Sequence, residues 1–311
     1  MQPRLLPESP GKIICEGVNT SELATWGIGG VARLAATPGD EEELRAALEW
    51  FHRQRCDFAV IGGGSNLLLA DGEIETPLLL AGALGGMDVE LDGGDIILDC
   101  GAGVEAKSAF ALSVKNGWSG LEQIVGIPGT VGGAIVGNAG TKQGSVGRSI
   151  HSVRLLSADG IAEDIRGEAV DWGYRYSSLA DRGVLSRVRF RLFRSSVRDV
   201  RAAARIAMQE RRSQPLGART AGCVFKNPPG HSAGRLIDEA GCKGLTVGGA
   251  CVSSKHANFF ENRGGATARD ILALIDICRE RVRTAFGFEL QLEIRMIGFP
   301  REVSHAFGQT S

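Results

Sequence analysis

Two stretches of this chain are built to bring bare backbone against a ligand. Residues 126–140 read Gly-Ile-Pro-Gly-Thr-Val-Gly-Gly-Ala-Ile-Val-Gly-Asn-Ala-Gly, six glycines in fifteen positions with no Lys, Arg, Asp or Glu. Glycine lets main-chain N–H groups approach a bound molecule, so Gly126, Ile127, Pro128, Gly129, Thr130, Gly132, Gly133, Asn138 and Ala139 could wall in a phosphate or a flat ring. A tight turn is the competing explanation, although turns rarely need so many glycines, and Val131, Ile135 and Val136 would anchor such a loop in a core. The second stretch, Gly62-Gly63-Gly64-Ser65-Asn66, follows the apolar run Phe58 to Ile61. Ser65 and Asn66 set short polar side chains beside free N–H groups, which suits a pyrophosphate; Asn after glycine is also an ordinary turn residue. Further on, Lys226 and Asn227 adjoin Cys223 and could hold a carboxylate or phosphate, Lys as a point charge and Asn by hydrogen bonds, while Asn227-Pro228 could equally make a turn. Ser253, Lys255, His256 and Asn258 form a polar cluster between apolar flanks, suited to nucleotide or cofactor contacts, with His256 equally a core histidine.

Composition narrows what these loops can serve. The 311 residues are 43% hydrophobic and 23% charged, with 44 glycines, about twice the usual ~7% share. The net charge of −1 offers no global attraction to nucleic acid or to an anionic membrane, and no apolar run approaches the ~20 residues of a membrane span. Residues 1–17 hold Pro3, Pro7 and Pro10 and no apolar core of a secretory signal. Seven cysteines without a CxxC pair, and without histidine at zinc-like spacing, fit a reduced cytoplasmic protein with no metal site. The triple glycine does not complete GxGxxG and no GxxxxGK[ST] occurs, which removes a Rossmann nicotinamide site and an ordinary nucleotide hydrolase.

The elements that must position the loops are legible in outline. Residues 39–54 predict a helix with Asp40 and Glu43 as a capping box, and residues 58–61 a short strand feeding the triple glycine. Hairpins are predicted around Gly93-Gly94 and Asp159-Gly160, and a strand over residues 187–193. A basic amphipathic helix over residues 196–212 stops before Pro215, with a domain boundary near 197. A later helix starts at Thr267, whose spacing to Asp270 is a second capping box, and the chain closes with a strand over residues 290–297. At this length more than one domain is expected.

Several strings in order resemble one family. They are Val60-Ile-Gly-Gly-Gly-Ser-Asn, Gly126 to Ala134, Asn138-Ala-Gly, Tyr174-Arg175-Tyr-Ser177, Gln214-Pro215, Gly222-Cys-Val-Phe-Lys-Asn-Pro228, Ser253-Ser-Lys-His-Ala-Asn-Phe259 and Leu292-Glu-Ile-Arg-Met-Ile-Gly298. Together they resemble the UDP-N-acetylenolpyruvoylglucosamine reductase (MurB) family, the shorter subtype without a tyrosine lid. The resemblance spans roughly residues 20–298 and implies an α+β fold. An FAD-binding region of the vanillyl-alcohol-oxidase (PCMH) type would form two lobes, residues 1–75 and 76–197, followed by a substrate-binding α+β domain at 198–300 and a tail at 301–311.

The resemblance further implies FAD held by the two glycine loops, with NADPH reducing FAD and hydride passing to C3 of an enolpyruvyl sugar nucleotide. It implies that Cys223 gives a proton to C2, that Arg175 and Glu293 stabilise the enolate, and that Tyr174, Lys226, Asn227, Ser253, Lys255, His256 and Asn258 face the substrate. Residue by residue, Arg175 alone reads as a surface ion-pair partner, Glu293 as a water-facing strand residue and Cys223 as a small buried hydrophobe. The chain departs from the family pattern at Trp26-Gly27, at Gly137, at residues 141–144, and at Cys223, where serine is commonest. A thiol of pKa ~8.5 is mostly protonated at neutral pH and can still donate. Expected partners are small molecules, with no nucleic acid and no membrane, acting on a monomer. The alternatives are another FAD-dependent carbohydrate oxidoreductase and a flavin-binding module without chemistry.

Overall fold

A computed structural model describes residues 4–5, 13–141 and 144–309. Strands β1 (Ile14–Asn19) and β2 (Val31–Ala36) are antiparallel; the chain then forms helix α1 (Glu41–Gln54), β3 (Ala59–Ile61), β4 (Leu67–Leu69) and β5 (Leu78–Leu80). β5 lies between β2 and β3 and runs parallel to both, so α1 carries the chain across the sheet and delivers residues 62–66 at the end of β3. Asp40 caps α1 by accepting from the Glu43 N–H at 2.9 Å. The expected box is only half formed: the Glu43 carboxylate turns to the Gly39 N–H, at 2.7 Å, instead of to Asp40.

A second, antiparallel sheet is built from β6 (Met87–Asp92), β7 (Asp95–Gly101), β8 (Ile150–Leu156), β9 (Ala162–Arg166) and β10 (Val184–Arg194), in the order β9-β8-β10-β7-β6. Both hairpins read from glycine turns are present. Between β7 and β8 run helices α2 (Ala106–Asn116) and α3 (Val131–Val136), the latter inside the glycine-rich stretch. Val131 and Ile135 sit wholly buried in a core shared with Leu98, Val153, Val188 and Phe190, as their apolar spacing required. Helix α4 (Val197–Glu210) packs on α2 and on residues 118–124.

The last region contains α5 (Ala233–Glu239), β11 (Ala250–Val252), β12 (Phe260–Asn262), α6 (Ala268–Phe286), β13 (Arg295–Ile297) and α7 (Arg301–Ala306). Its capping box is complete: Thr267 Oγ1 accepts from Asp270 N–H at 3.1 Å and the Asp270 carboxylate accepts from Thr267 N–H at 2.9 Å. The strand expected over 290–297 is shorter. Residues before 295 pair locally with residues 224–226, because the N–H of Glu293 donates to the Val224 carbonyl at 2.8 Å and Phe225 bridges to Leu292. The tail is helical over residues 301–306, and the Gln309 side chain closes on the Met296 N–H at 2.8 Å and the Ile294 carbonyl at 2.5 Å. Lys142 and Gln143, part of the departure expected to alter the flavin wall, lie outside the described residues. No helix of the described residues is long and apolar enough to cross a membrane.

Strand pairing and a buried tryptophan are among the connections that tie the regions together. β13 adds in parallel to β4, register Arg295 with Leu67. Trp26, from the first region, is fully buried among Phe225, Phe260 and Ile294 of the last; its indole N–H donates to the Phe260 carbonyl at 2.7 Å and Asn262 donates to its carbonyl at 2.8 Å. The unusual Trp26 is therefore a packing anchor. Trp26→Ala should cost about 3–5 kcal/mol. Urea unfolding checks this, and a loss below about 1 kcal/mol would contradict the assignment.

Candidate functional site

The two glycine loops touch. A Cβ on Gly63 would lie 2.6 Å from the Gly129 Cα, and one on Gly64, at φ +63°, would lie 1.7 Å from the Leu23 carbonyl oxygen. Only bare backbone fits both places. Ser65 Oγ donates to the Pro128 carbonyl at 3.0 Å, fixing one loop against the other. Among the described residues, no protein acceptor takes the N–H groups of Gly63, Gly64, Ser65 or Asn66. Consecutive amides left this way make an anion cradle, so the residues present fit the pyrophosphate of a flavin dinucleotide. Gly126, Ile127, Pro128 and Gly129 are exposed or half-buried beside it, and Thr130 caps α3 by accepting from the Gly133 N–H at 3.3 Å, above the packed Gly132.

Asn138 and Ala139, expected at the cofactor, have their polar groups engaged within the protein. Asn138 is buried at φ +41°; its side chain donates to the Gly173 carbonyl at 2.8 Å and accepts from the Gly147 N–H at 3.2 Å. Ala139 spends its N–H on Ala134 and its carbonyl on Val146. Their work is to brace the segment that carries Arg175.

Arg175 sits in a two-residue turn between Trp172–Gly173 and Tyr176–Ser177, with Gly173 opposite Tyr176. Its φ of +54° is unfavourable for a side-chain-bearing residue, and such strain is retained where a group must be aimed. The guanidinium Nε donates to Glu293 Oε1 at 2.5 Å. Glu293 is pinned in turn: its N–H binds Val224, and its carbonyl accepts from Asn66 of the first glycine loop at 3.1 Å. Cys223 forms an antiparallel bridge with Phe259. The residues after it are clamped by Asn258, which accepts from Phe225 N–H at 2.9 Å, donates to the Phe225 carbonyl at 2.8 Å, and gives its own carbonyl to Val224 N–H at 2.8 Å.

The electrostatics follow from this enclosure. Burial, reinforced by the Glu293 carboxylate, pushes the Cys223 thiol up to about 12, with Arg175, Arg211 and a hydrogen bond from Asn258 pulling the other way. Burial also raises Glu293, against the opposing pull of Arg175 and Lys226. For Arg175 burial works downward, but Glu293 outweighs it and the guanidinium is held charged. A neutral thiol thus stands beside a fixed cation and a carboxyl group. This set can protonate a carbanion while it holds an adjacent carboxylate.

The expected substrate residues divide. Tyr174 is exposed, its hydroxyl accepting from the Asn227 N–H at 3.4 Å and its ring lying under the Arg175 guanidinium, and Lys226 acts on Glu293, so both border the Arg175–Glu293 pair. Asn227 caps the turn before α5, accepting from Ala233 N–H at 2.9 Å. The polar groups of the 253–258 cluster are largely engaged within the protein. Ser253 is fully buried and accepts from Lys255 N–H at 3.2 Å; Asn258 is buried with its amide spent on Phe225; His256 lies half-buried against Phe259, ring centroids 4.9 Å apart, its Nδ1 accepting from Asn258 N–H at 3.3 Å and its pKa lowered by burial. Asn258 supports Cys223 directly, and of the four polar residues expected to face the substrate Lys255 is the exposed one. Sequence reasoning missed Arg211, which donates to the Gly126 carbonyl at 3.4 Å and acts on the Cys223 thiol; its place in a run of helix arginines hid it.

Removing the clamp should be felt at the thiol. Asn258→Ala leaves the Phe225 N–H and carbonyl buried without partners, which should cost about 1–3 kcal/mol. Calorimetry should show the lower melting temperature and iodoacetamide should alkylate Cys223 faster; no change in either would contradict the role.

Residues 32–166 match an FAD binding domain, and residues 214–297 match the UDP-N-acetylenolpyruvoylglucosamine reductase C-terminal domain. The chain is 41% identical over 279 residues to the UDP-N-acetylenolpyruvoylglucosamine reductase of Moorella thermoacetica, covering 89% of this chain and 91% of that protein. It is 42% identical over 285 residues to that of Heliobacterium modesticaldum, covering 89% and 88%. The crystal structure of the Thermus caldophilus reductase superposes with a TM-score of 0.78 at 36% identity, covering 91% of this chain and 98% of that one.

Proposed function

The chain belongs to the UDP-N-acetylenolpyruvoylglucosamine reductase family, and from that premise we propose how its own residues carry the reduction. The enzyme is an FAD-containing oxidoreductase that converts the enolpyruvyl ether of UDP-N-acetylglucosamine to UDP-N-acetylmuramate, a peptidoglycan precursor, at the expense of NADPH. Bound FAD would supply the hydride chemistry, taken from NADPH and given to C3 of the enolpyruvyl group. The free amides of Gly63 to Asn66 would hold its pyrophosphate, with residues 126–133 beside them.

Hydride arrival at C3 leaves negative charge on C2 and on the substrate carboxylate. Arg175 holds that carboxylate, exchanging part of its contact with Glu293 for it. The added negative charge favours protonation of Glu293, already raised by burial, so that Glu293 can donate a hydrogen bond to an enolate oxygen. Cys223 Sγ–H then transfers its proton to C2, and the thiolate recovers one from solvent. The observation that carries this reading is the convergence of Cys223 with the 2.5 Å Arg175–Glu293 pair next to the anion cradle. Tyr174 and Lys226 border the substrate. Seven free thiols support a cytoplasmic setting.

Rapid-mixing of the holoenzyme separates the two half-reactions. Cys223→Ala should be reduced by NADPH normally but reoxidised by substrate about 10²–10⁴-fold more slowly, and Cys223→Ser should keep measurable turnover. Wild-type reoxidation in Cys223→Ala would remove the donor assignment. Arg175→Met should slow reoxidation by about 10²-fold or more, and Glu293→Gln, which keeps a neutral donor, should lose less than Glu293→Ala. Equal losses in the two Glu293 variants would exclude the protonated form.

A further inference from the structure

Helix α4 carries a row of arginines that the proposed chemistry has not used. At about 100° per residue, Arg198, Arg201 and Arg205 fall within an arc of about 60°, on the side opposite buried Val200 and Ala207, and Arg212 follows in the turn after the helix. All four are exposed. Among the described residues none has an acidic partner, whereas Arg33, Arg45, Arg53, Arg154, Arg182, Arg187, Arg189 and Arg191 are paired elsewhere on the molecule. Asp199, in the first turn of α4, is engaged by Ser196. In a chain of net charge −1, what sets this row apart from other arginines without an acidic partner, such as Arg55 and Arg301, is its alignment along one helix face.

The helix that carries the row also ends at the site, although Arg211, which reaches it, lies on the buried side with Val200 and not in the row itself. The C-terminal end of α4 rests on the flavin wall: a Cβ on Gly126 would meet Met208 Sδ at 2.8 Å and Arg211 Cδ at 3.1 Å, and Arg211 itself acts on the Cys223 thiol. From Arg201 to Arg211 the helix covers about 15 Å, the scale of an extended nucleotide. Resting on the reductase reading above, we propose that the exposed face of α4 is the landing strip for the phosphate groups of the enzyme's nucleotide ligands, with Arg201, Arg205 and Arg212 binding phosphate on the approach to Cys223. The dinucleotide reductant and the sugar nucleotide share this chemistry; both are polyanions that must reach the same thiol-flavin wall.

The test is Arg201→Glu/Arg205→Glu in the holoenzyme, with Arg201→Lys/Arg205→Lys as the conservative pair. kcat and KM are measured for NADPH, for NADH and for the enolpyruvyl sugar nucleotide at low and high salt, and NADP⁺ and UDP-N-acetylglucosamine binding is followed by calorimetry. The charge-reversed pair should raise KM and weaken binding by about tenfold or more at low salt, flatten the salt dependence, and leave kcat the less affected parameter; the lysine pair should recover most of the loss. A loss for NADPH but not NADH places the 2′-phosphate on the strip, and a loss for the sugar nucleotide places its pyrophosphate there. If wild type binds both ligands and the charge-reversed pair binds them equally well with the same salt slope, the strip is refuted while the reductase reading stands. If wild type neither binds nor turns over, the reductase reading falls and the strip with it.

Discussion

The Arg175–Glu293 ion pair is the constraint on which the rest of the site depends. Burying two charges is costly unless both are fixed and satisfied, so each partner must be held by its own neighbourhood. Arg175 is aimed by a strained turn, which Asn138 steadies through Gly173. Glu293 is tied on one side to Val224, next to Cys223, and on the other to Asn66 in the first glycine loop. One interaction thus sets the distance between three distant parts of the chain and locates the thiol relative to the anion cradle.

Two consequences follow from that enclosure. The same burial that brings the pair together keeps Cys223 neutral, so the substitution of a thiol for the commoner hydroxyl does not introduce a thiolate at neutral pH. The cradle is equally dependent on close approach. A side chain at Gly63 or Gly64 would separate the loops and move Asn66, and with it the backbone of Glu293. On the proposed reading, the anion cradle and the support of the proton donor are therefore joined through Asn66.

The glycine loops were legible in the sequence because glycine density reports a backbone requirement directly, and the hairpins and both main capping positions followed from local chemistry. The asparagines were not. Asn138 and Asn258 look like ligand contacts in a linear sequence, since nothing local distinguishes an amide that meets a ligand from one that meets a distant peptide group. The roles of Arg175 and Glu293 came only from resemblance, because the residues are 118 positions apart and alone look like surface charges. Trp26 stood out as unusual, but its partners Phe260 and Asn262 lie too far along the chain for pattern to supply them. Arg211 was lost among the arginines of α4, and the short helix α7 at the tail carried no strong periodic signal.

The central claim is that Cys223 is a neutral thiol poised to give up a proton. The fold favours the S–H form, so this group's contribution to stability is complete below the free-thiol pKa of ~8.5 and is lost as pH rises toward about 12. Infrared difference spectroscopy of the holoenzyme, with the Cys223 S–H band assigned by its absence in Cys223→Ser, measures that state directly. The band should persist undiminished through pH 9.5; its disappearance with a midpoint at or below that of an ordinary thiol would contradict the account.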